Sequence, residues 1–151
     1  VVIVTVVFGT IINGYLMGAK RTEWTGCALA AQSLGVETIE QARAAVWDVG
    51  VGKNDVTNLT LLNRKYTSAT ATWTGYTTNV MDIPWKGTNS TVATNFISIQ
   101  DIFENNNTAV PVHLQVLRVD TVWPFKAWGK SAIRYYTNSI CTYIAPANSA
   151  L

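Results

Sequence analysis

The stretch Val1–Ala19, VVIVTVVFGTIINGYLMGA, decides the fold, because it is almost wholly apolar and no charged side chain appears before Lys20. As an α-helix, a segment of this length rises ~1.5 Å per residue and reaches roughly 28 Å, close to the ~30 Å hydrocarbon core of a bilayer. The segment is therefore long enough to cross a membrane. A secretory signal peptide is the alternative, but it has a charged first part, a shorter apolar run and a small-residue cleavage site, which this stretch lacks.

Helical sequence continues beyond the apolar stretch, through RTEWTGCALAAQSLGVETIEQARAAVWD at residues 21–48. From Thr22 onward, apolar residues recur at spacings of three, four and seven, which is typical of an amphipathic helix. We expect this stripe to pack against a folded domain and the helix to run from Val1 to about Trp47, because Gly50 and Gly52 follow Asp48 and glycine readily ends helices. The expected stripe comprises Leu29, Val36, Ile39, Val46 and Trp47, with Ala28, Ala31, Ala42 and Ala45 as small neighbours.

The remaining residues predict a β-rich head. Runs rich in Thr, Val, Ile, Trp and Tyr are separated by Gly- and Asn-containing turns, which favours an antiparallel meander of four or five strands between about Leu59 and Ile144. In HLQVLRVDTVW, apolar Leu114, Leu117 or Val116, Val119 and Val122 alternate with polar residues that include Gln115 and Thr121. The predicted runs are Leu59–Leu62, Tyr66–Thr74, Asn79–Pro84, Thr91–Ile99, Val112–Trp123 and Ile133–Ile144.

A sheet with one apolar face needs a partner layer, and the amphipathic half of the N-terminal helix is the only helical stripe that offers one. We therefore expect the sheet to pack on Ala28–Trp47. The predicted class is α+β, with residues 1–48 as a filament-core or membrane helix and residues 49–151 as a globular head. The chain of 151 residues suits one such domain plus its helix.

The layout of residues 1–48, with its apolar first half, the basic step at Lys20 and Arg21 and the closing EQARAAVWD, resembles the N-terminal helix of type IV pilins and of type II secretion pseudopilins. The resemblance covers about the first third of the chain, whereas the head is similar only in being β-rich. Mature members of the family begin with a methylated aromatic residue and carry a glutamate at the fifth position, where this chain has Val1 and Thr5. We expect a short segment to precede Val1; the alternative is that Val1 is the true terminus of an atypical subunit or a plain anchored protein.

The resemblance implies a structural subunit of an extracellular, type IV pilus-like filament at the cell surface, which is held in the inner membrane before an assembly machinery polymerises it. Its partners would be copies of itself. A type II secretion pseudopilin, or a single-pass membrane-anchored β-domain that binds a partner or polysaccharide, are the alternatives. The resemblance also implies local unwinding of the helix within Gly9–Gly18, which Gly9, Asn13, Gly14 and Gly18 make physically reasonable because Gly and Asn favour helices little.

The subunit interface of such a filament would use the apolar stretch and the charges that end it. Lys20 and Arg21 are expected to meet acids of a neighbouring copy, with Glu37, Glu40 and Asp48 as the nearest candidates along the helix. The expected interface residues are Val1, Val4, Phe8, Ile11, Ile12, Tyr15, Leu16, Lys20, Arg21 and Glu23.

The sequence contains no pattern that predicts catalysis. One histidine, two cysteines and nine scattered acids show no ligand or catalytic spacing, so we expect no enzyme activity, no cofactor and no metal. The formal charge of +2, with 13% charged residues and no basic run longer than Lys20-Arg21, argues against nucleic-acid binding. His113 is interpreted as an outward strand residue.

The two cysteines, Cys27 and Cys141, lie far apart in sequence, which excludes a CxxC motif. A disulfide between them is one expectation, because an exported head folds in an oxidising compartment and the last strand can lie against the helix. Two buried thiols are the other.

Overall fold

The structure is a computed structural model and describes residues 2–48, 51–59, 61–83, 90–104, 112–127 and 129–146. A single long helix, α1, is followed by a small two-stranded hairpin and a five-stranded sheet, which confirms the predicted α+β class. The elements are α1 (Val2–Ala44), β1 (Trp47–Asp48), β2 (Lys53–Asn54), β3 (Leu62–Thr67), β4 (Thr72–Met81), β5 (Thr91–Glu104), β6 (Val112–Phe125) and β7 (Arg134–Ile144), with short 3-10 turns at Val56–Asn58 and Ser68–Thr70.

The main sheet is an antiparallel meander in which neighbours in sequence are neighbours in space, in the order β3-β4-β5-β6-β7. This confirms the prediction of an antiparallel sheet of four or five strands, with five observed. The expected single run Tyr66–Thr74 is wrong, because the 3-10 turn at Ser68–Thr70 and the left-handed Ala71 (φ 46°) divide it between β3 and β4. A left-handed residue reverses the chain more sharply than an extended strand allows.

Helix α1 ends at Ala44, so the prediction that it reaches about Trp47 is wrong by three residues. Trp47 instead pairs with Asn54 in the hairpin β1–β2, and its side chain is buried beside Ile39 and Val56. The chain turns back beneath the helix and buries the large indole of Trp47. The free energy gained by this burial outweighs that of one more helical turn. The boundary drawn at residue 48 therefore falls inside this hairpin.

The helix packs on the sheet through small side chains. Its buried stripe is Cys27, Ala31, Gly35, Thr38, Ile39 and Ala42, which share one face because most of them are three or four residues apart. The expectation that Leu29, Val36 and Val46 belong to this stripe is wrong, since all three side chains are exposed. The sheet comes too close for large residues: a Cβ on Gly35 would stand only 3.0 Å from Ile140 Cδ1.

Two apolar clusters lie between α1 and the sheet. The one nearer the helix N-terminus, here called the stalk-side cluster, joins Cys27, Ala31, Met81, Ile83, Ala93, Trp123 and Phe125. The far cluster joins Ile39, Ala42, Trp47, Val56, Ile97, Ile99, Leu117, Val119 and Ile144. Between them a row of polar residues crosses the sheet, since Thr77, Asn95, Thr121 and Asn138 are register partners on successive strands.

Strand β6 follows the expected alternation only in part. Leu117 and Val119 are fully buried against α1, as predicted, but Gln115 and Thr121 share their face and are buried as well. Gln115 Nε2 donates to Asp101 Oδ1 at 2.6 Å, whereas Gln115 Oε1 is buried without a hydrogen-bond partner. Leu114 and Val122, both expected on the buried apolar face, lie on the opposite face and are only half-buried.

Candidate functional site: the exposed apolar stalk

The first part of α1, Val2–Ala19, projects beyond the sheet and is here called the stalk. Its apolar side chains are exposed around the helix, with Tyr15 76% and Phe8 62% accessible, and Val4, Ile11 and Ile12 above half. Leu16 is half-buried. The structure thus places these expected interface residues on an open apolar surface, while Val1 lies outside the described residues.

The hydroxyls of Thr10, in the stalk, and of Thr22, just after it, are satisfied by the helix itself. The Thr10 hydroxyl lies 3.1 Å from Val6 O and 2.8 Å from Val7 O, and Thr22 donates to Gly18 O at 3.2 Å. A hydroxyl that donates to a carbonyl of its own helix needs no hydrogen-bond partner outside the helix. The stalk can therefore enter an apolar environment without leaving these hydroxyls unpaired.

The helix is continuous through Gly9, Asn13, Gly14 and Gly18 in the single chain. A Cβ at any of the three glycines would meet nothing within 4 Å, so no contact inside the described chain explains why they lack side chains. The expected unwinding concerns an assembled filament and stays a prediction.

Charges mark the end of the stalk. Lys20 Nζ lies 2.5 Å from Glu23 Oε2, an ion pair three residues apart on one helix face. Arg21 is exposed, and Arg43 Nη1 pairs with Glu40 Oε1 at 2.9 Å. Lys20 and Glu40, both expected to pair with a neighbouring copy, are thus already paired within the chain.

The back of α1, opposite the sheet, carries an apolar pair that the sequence reading assigned to the core. Leu29 is 61% and Val36 43% exposed. Spacing from the stalk could not have revealed this, because the stalk is exposed on all sides and the seven-residue series from Tyr15 to Leu29 passes through the polar Thr22.

An aromatic joint fixes the stalk to the head. The ring of Trp24 lies 5.9 Å from those of Trp123 and Tyr136, which stack on each other at 5.1 Å. Asn138 extends the joint, because its Nδ2 donates to Ala28 O at 2.9 Å and its Oδ1 accepts from Trp123 Nε1 at 3.4 Å. Motion of the stalk relative to the sheet would break these contacts.

The polar row continues this bonding along the helix. Asn95 is fully buried, and its Nδ2 donates to Thr38 Oγ1 at 3.0 Å and to Leu34 O at 3.3 Å. Asn95 Oδ1 and Thr121 Oγ1 are buried without a hydrogen-bond partner. A shift of the helix would break the bonds that Asn95 Nδ2 donates to Thr38 and Leu34 and would leave this buried donor unpaired.

The expected disulfide between Cys27 and Cys141 is wrong. Cys27 is buried in the stalk-side cluster, whereas Cys141 is exposed on the sheet face that points away from α1. Successive strand residues point to opposite faces, so Asn138 and Ile140 face the helix and Cys141 does not. The alternative of two buried thiols is wrong for Cys141 too.

Within the described residues there is no group of three or more His, Cys, Asp or Glu side chains that could hold a metal ion. A polar cleft of about 330 Å³ lies beside α1, lined by Glu37, Gln41, Asp55, Asn58, Asn79 and five further residues. It brings two carboxylates near amides but no nucleophile beside a base. The backbone of His113 lies in β6, and its side chain lies outside what the structure describes.

In comparisons with protein-family models, with curated proteins and with solved structures, no match to this chain was found. The fold and the exposed surface define its class: an α+β protein whose single long helix packs on an antiparallel sheet and extends beyond it as an apolar stalk. By length and composition that helix is able to cross a membrane, as anchors and signal sequences are.

Proposed function

We propose that this chain is a structural subunit of an extracellular, type IV pilus-like filament and that it polymerises through its stalk. The observation that carries the proposal is the exposure of apolar side chains on all sides of a helix that runs without a break into the head. Soluble monomers rarely expose an apolar patch larger than a few hundred Å². The stalk therefore requires a cover.

Copies of the same stalk supply that cover. Removing apolar surface from water is worth ~25 cal/mol per Å², or ~1.5–3 kcal/mol for a large aliphatic or aromatic side chain. Several such side chains per copy favour a bundle of stalks strongly, even after the entropy lost on association. Because the stalk is apolar all round, one copy can contact several others, which a filament core requires.

The rigid joint at Trp24 supports a regular filament. A stalk fixed to its head holds every head at the same angle once the stalks are packed, and equal angles give a helical array. Leu29 and Val36 extend the apolar surface along the exposed back of α1. In the filament, neighbouring copies can also pack on Leu29 and Val36, on the head side of the packed stalks.

Before assembly, the same stalk would lie in the inner membrane, since it is long and apolar enough to span it. Assembly machinery would then move the subunit from lipid into the filament, at the cell surface or, for a secretion pseudopilus, below it. The apolar contacts that hold the subunits together are the same in a surface filament and in a secretion pseudopilus. Long fibres on wild-type cells would distinguish the surface filament.

A second candidate is a single-pass anchored β-domain, which the length of the stalk also favours. The two differ at Gly14 and Gly18, spaced four apart on one helix side, where a missing side chain allows close helix approach. A Gly14→Leu variant should lose filaments if stalks pack on one another. It should remain in the membrane unchanged if the stalk is only an anchor.

The test is electron microscopy of the full chain after purification in detergent and slow detergent removal. Wild type should form fibres, and Phe8→Glu should form none, because a carboxylate would be buried unpaired between stalks. Val51→Glu is the matched control, since Val51 is exposed on the hairpin turn β1–β2, away from the stalk. Far-UV circular dichroism should show that both variants are folded. If the wild-type chain yields only monomers or small discrete oligomers, the proposal is wrong.

A further inference from the structure

The connection between β6 and β7 lies at the stalk end of the head. Phe125, at the end of β6, is buried in the stalk-side cluster with Cys27, and Ala127 packs against the same cluster. Arg134 opens β7 as the register partner of Phe125. Lys126, Lys130 and Arg134 therefore lie at the end of the head from which the stalk emerges, and all three are exposed.

This end of the head carries an excess of positive charge. Lys20 and Arg21 on α1 join Lys126, Lys130 and Arg134, and these five residues are here called the cationic rim. Among the described residues, the acids at this end are Glu23, which is bonded to Lys20, and Asp82 after β4. No described acid lies within ion-pair distance of Lys126, Lys130 or Arg134.

The described acids otherwise lie farther along the molecule. Glu37 and Glu40 are on the later turns of α1, Asp48 and Asp55 are at the hairpin, and Asp120 is at the middle of β6. Several already face cations, as in Arg43–Glu40, Lys53–Asp55 and Arg118–Asp120. The positive excess is thus a property of one end of the molecule.

Exposed apolar and aromatic side chains stand among these cations. Tyr135 is 73% and Ile133 59% exposed, directly beside Arg134, and Trp24 is 40% exposed on α1. Aromatic residues with Lys and Arg at the end of an apolar helix are typical of the bilayer–water interface, where rings lie at headgroup level and cations meet phosphates.

We propose that the cationic rim docks the head on a surface of anionic phospholipid headgroups while the stalk spans the bilayer. The proposal rests on the membrane stage of the proposed function and adds to it a lipid partner and an orientation. Lys20 and Arg21 follow the apolar stretch directly, so a spanning stalk places them at the headgroups. The β6–β7 connection then supplies three further cations on the same side of the molecule.

The docked head is held by charge and by shallow insertion of Ile133 and Tyr135. The head therefore stands with its stalk end down, with β3 and the exposed face of Cys141 turned away from the lipid. Subunits held at one height and angle are presented to a growing assembly in one orientation. Salt weakens the docking, because the headgroup potential extends only about a Debye length.

The experiment uses the full chain reconstituted into vesicles of phosphatidylcholine, with or without roughly 30% phosphatidylglycerol. One reporter is an NBD fluorophore on Ser131→Cys in a Cys141→Ser background; the other is NBD on the native Cys141. A phosphatidylcholine with a nitroxide on its headgroup quenches NBD that lies near the surface. The rim reporter should be quenched at least about twofold more with the anionic lipid, and about 0.5 M salt should remove the difference.

Charge reversal supplies the matched pair. Lys126→Glu with Lys130→Glu and Arg134→Glu should abolish the extra quenching at residue 131. Lys53→Glu with Lys65→Glu and Arg118→Glu, which changes the net charge equally on exposed residues elsewhere in the head, should preserve it. The Cys141 reporter should stay unquenched in both lipids, whereas equal quenching there would mean that the head lies flat and would overturn the proposal.

Flotation of the vesicles separates the two proposals. If the chain floats with the vesicles but residue 131 is quenched equally with and without anionic lipid, the rim proposal fails while the membrane stage stands. If the chain floats with neither vesicle, the membrane stage itself fails and the rim proposal fails with it.

Discussion

Gly35 of α1 lies so close to Thr121 of β6 that a Cβ built on the glycine would stand 3.2 Å from the threonine hydroxyl oxygen. The same Cβ would stand 3.0 Å from Ile140 Cδ1. The helix and the sheet therefore approach each other closely over the polar row, between the two apolar clusters. A side chain at residue 35 would have to separate the layers or displace Ile140.

Replacing Gly35 with leucine should lower the free energy of unfolding by ~1–3 kcal/mol, the usual consequence of forcing extra atoms into a packed interface. The measurement is chemical unfolding in detergent, followed by near-UV circular dichroism. Ser33→Leu is the control, because Ser33 is exposed on the same helix and gains the same helix-favouring residue. Equal stability of the two variants would show that the helix and the sheet can move apart to accept the side chain at no cost in stability, which would contradict the prediction.

Asn95 and Thr38 should be energetically coupled. Asn95→Ala is expected to cost ~1–3 kcal/mol, because it removes the donor that Thr38 Oγ1 and Leu34 O accept in a buried site. The double variant with Thr38→Ala should cost less than the sum of the single variants, by ~0.5–3 kcal/mol. Thr94→Ala, one residue away and on the opposite sheet face, should change stability by less than ~0.5 kcal/mol; strict additivity would contradict the coupling.

Much of this fold follows from residue patterns, and the failures have a common cause. Apolar runs and turn residues predict the α+β class, an antiparallel meander of four or five strands and the apolar first half of the helix. The helix face is predicted only in part: Ala31, Ile39 and Ala42 are buried as expected, but the large Leu29 and Val36 are exposed, while Cys27 and Gly35, which the expected stripe leaves out, are buried. Contact this close selects small residues, and a hydrophobic pattern does not show the distance between layers.

The burial of Gln115, and of Thr121 in the polar row, was missed for a related reason. Both read as outward residues of β6, since buried polar groups are uncommon unless hydrogen-bonded. Gln115 bonds to Asp101, which is distant in sequence and is brought opposite it only by the register of β5 and β6. The residues of the stalk needed no such information, because a long uncharged stretch predicts an exposed apolar surface by itself.

The two cysteines should differ in reactivity. A maleimide should modify Cys141 within minutes in the folded protein, because its side chain is exposed, whereas Cys27, buried in the stalk-side cluster, should react only after unfolding. Mass spectrometry before and after denaturation should therefore count one adduct and then two. Protein purified under oxidising conditions that carries an intramolecular bridge, or two modified thiols in the folded state, would contradict this placement.

Trp24→Ala should loosen the aromatic joint between stalk and head. Each aromatic pair is worth ~0.5–1.5 kcal/mol beyond its buried area, and Trp24 forms two, with Trp123 and Tyr136. Near-UV circular dichroism should weaken and the unfolding midpoint should fall. Val36→Ala is the comparison, since Val36 is exposed on the back of α1: its unfolding should stay within ~0.5 kcal/mol of wild type while fibre yield falls.

The charges at the end of the stalk should affect the register of assembly, and Arg21 should matter more than Lys20. Lys20 is paired with Glu23 inside the chain, whereas Arg21 is exposed and has no described acid within ion-pair distance. Glu37 is the best acid for it in a neighbouring copy, because Glu40 already binds Arg43, while Glu37 accepts only from Gln41 among the bonds described, at 3.3 Å. The Arg21–Glu37 pair would be partly screened and worth only ~0.2–1 kcal/mol per contact, repeated along the fibre.

Arg21→Glu should therefore reduce fibre yield measured by sedimentation and electron microscopy, and Lys20→Gln should reduce it less. Combining Arg21→Glu with Glu37→Lys should restore part of the yield, because the pair is re-formed with its signs exchanged. Lys65→Glu, an exposed reversal on β3, controls for net charge, and circular dichroism should show every head folded. Unchanged yield for Arg21→Glu would mean that this charge faces water, leaving the apolar stalk alone to determine how the copies assemble.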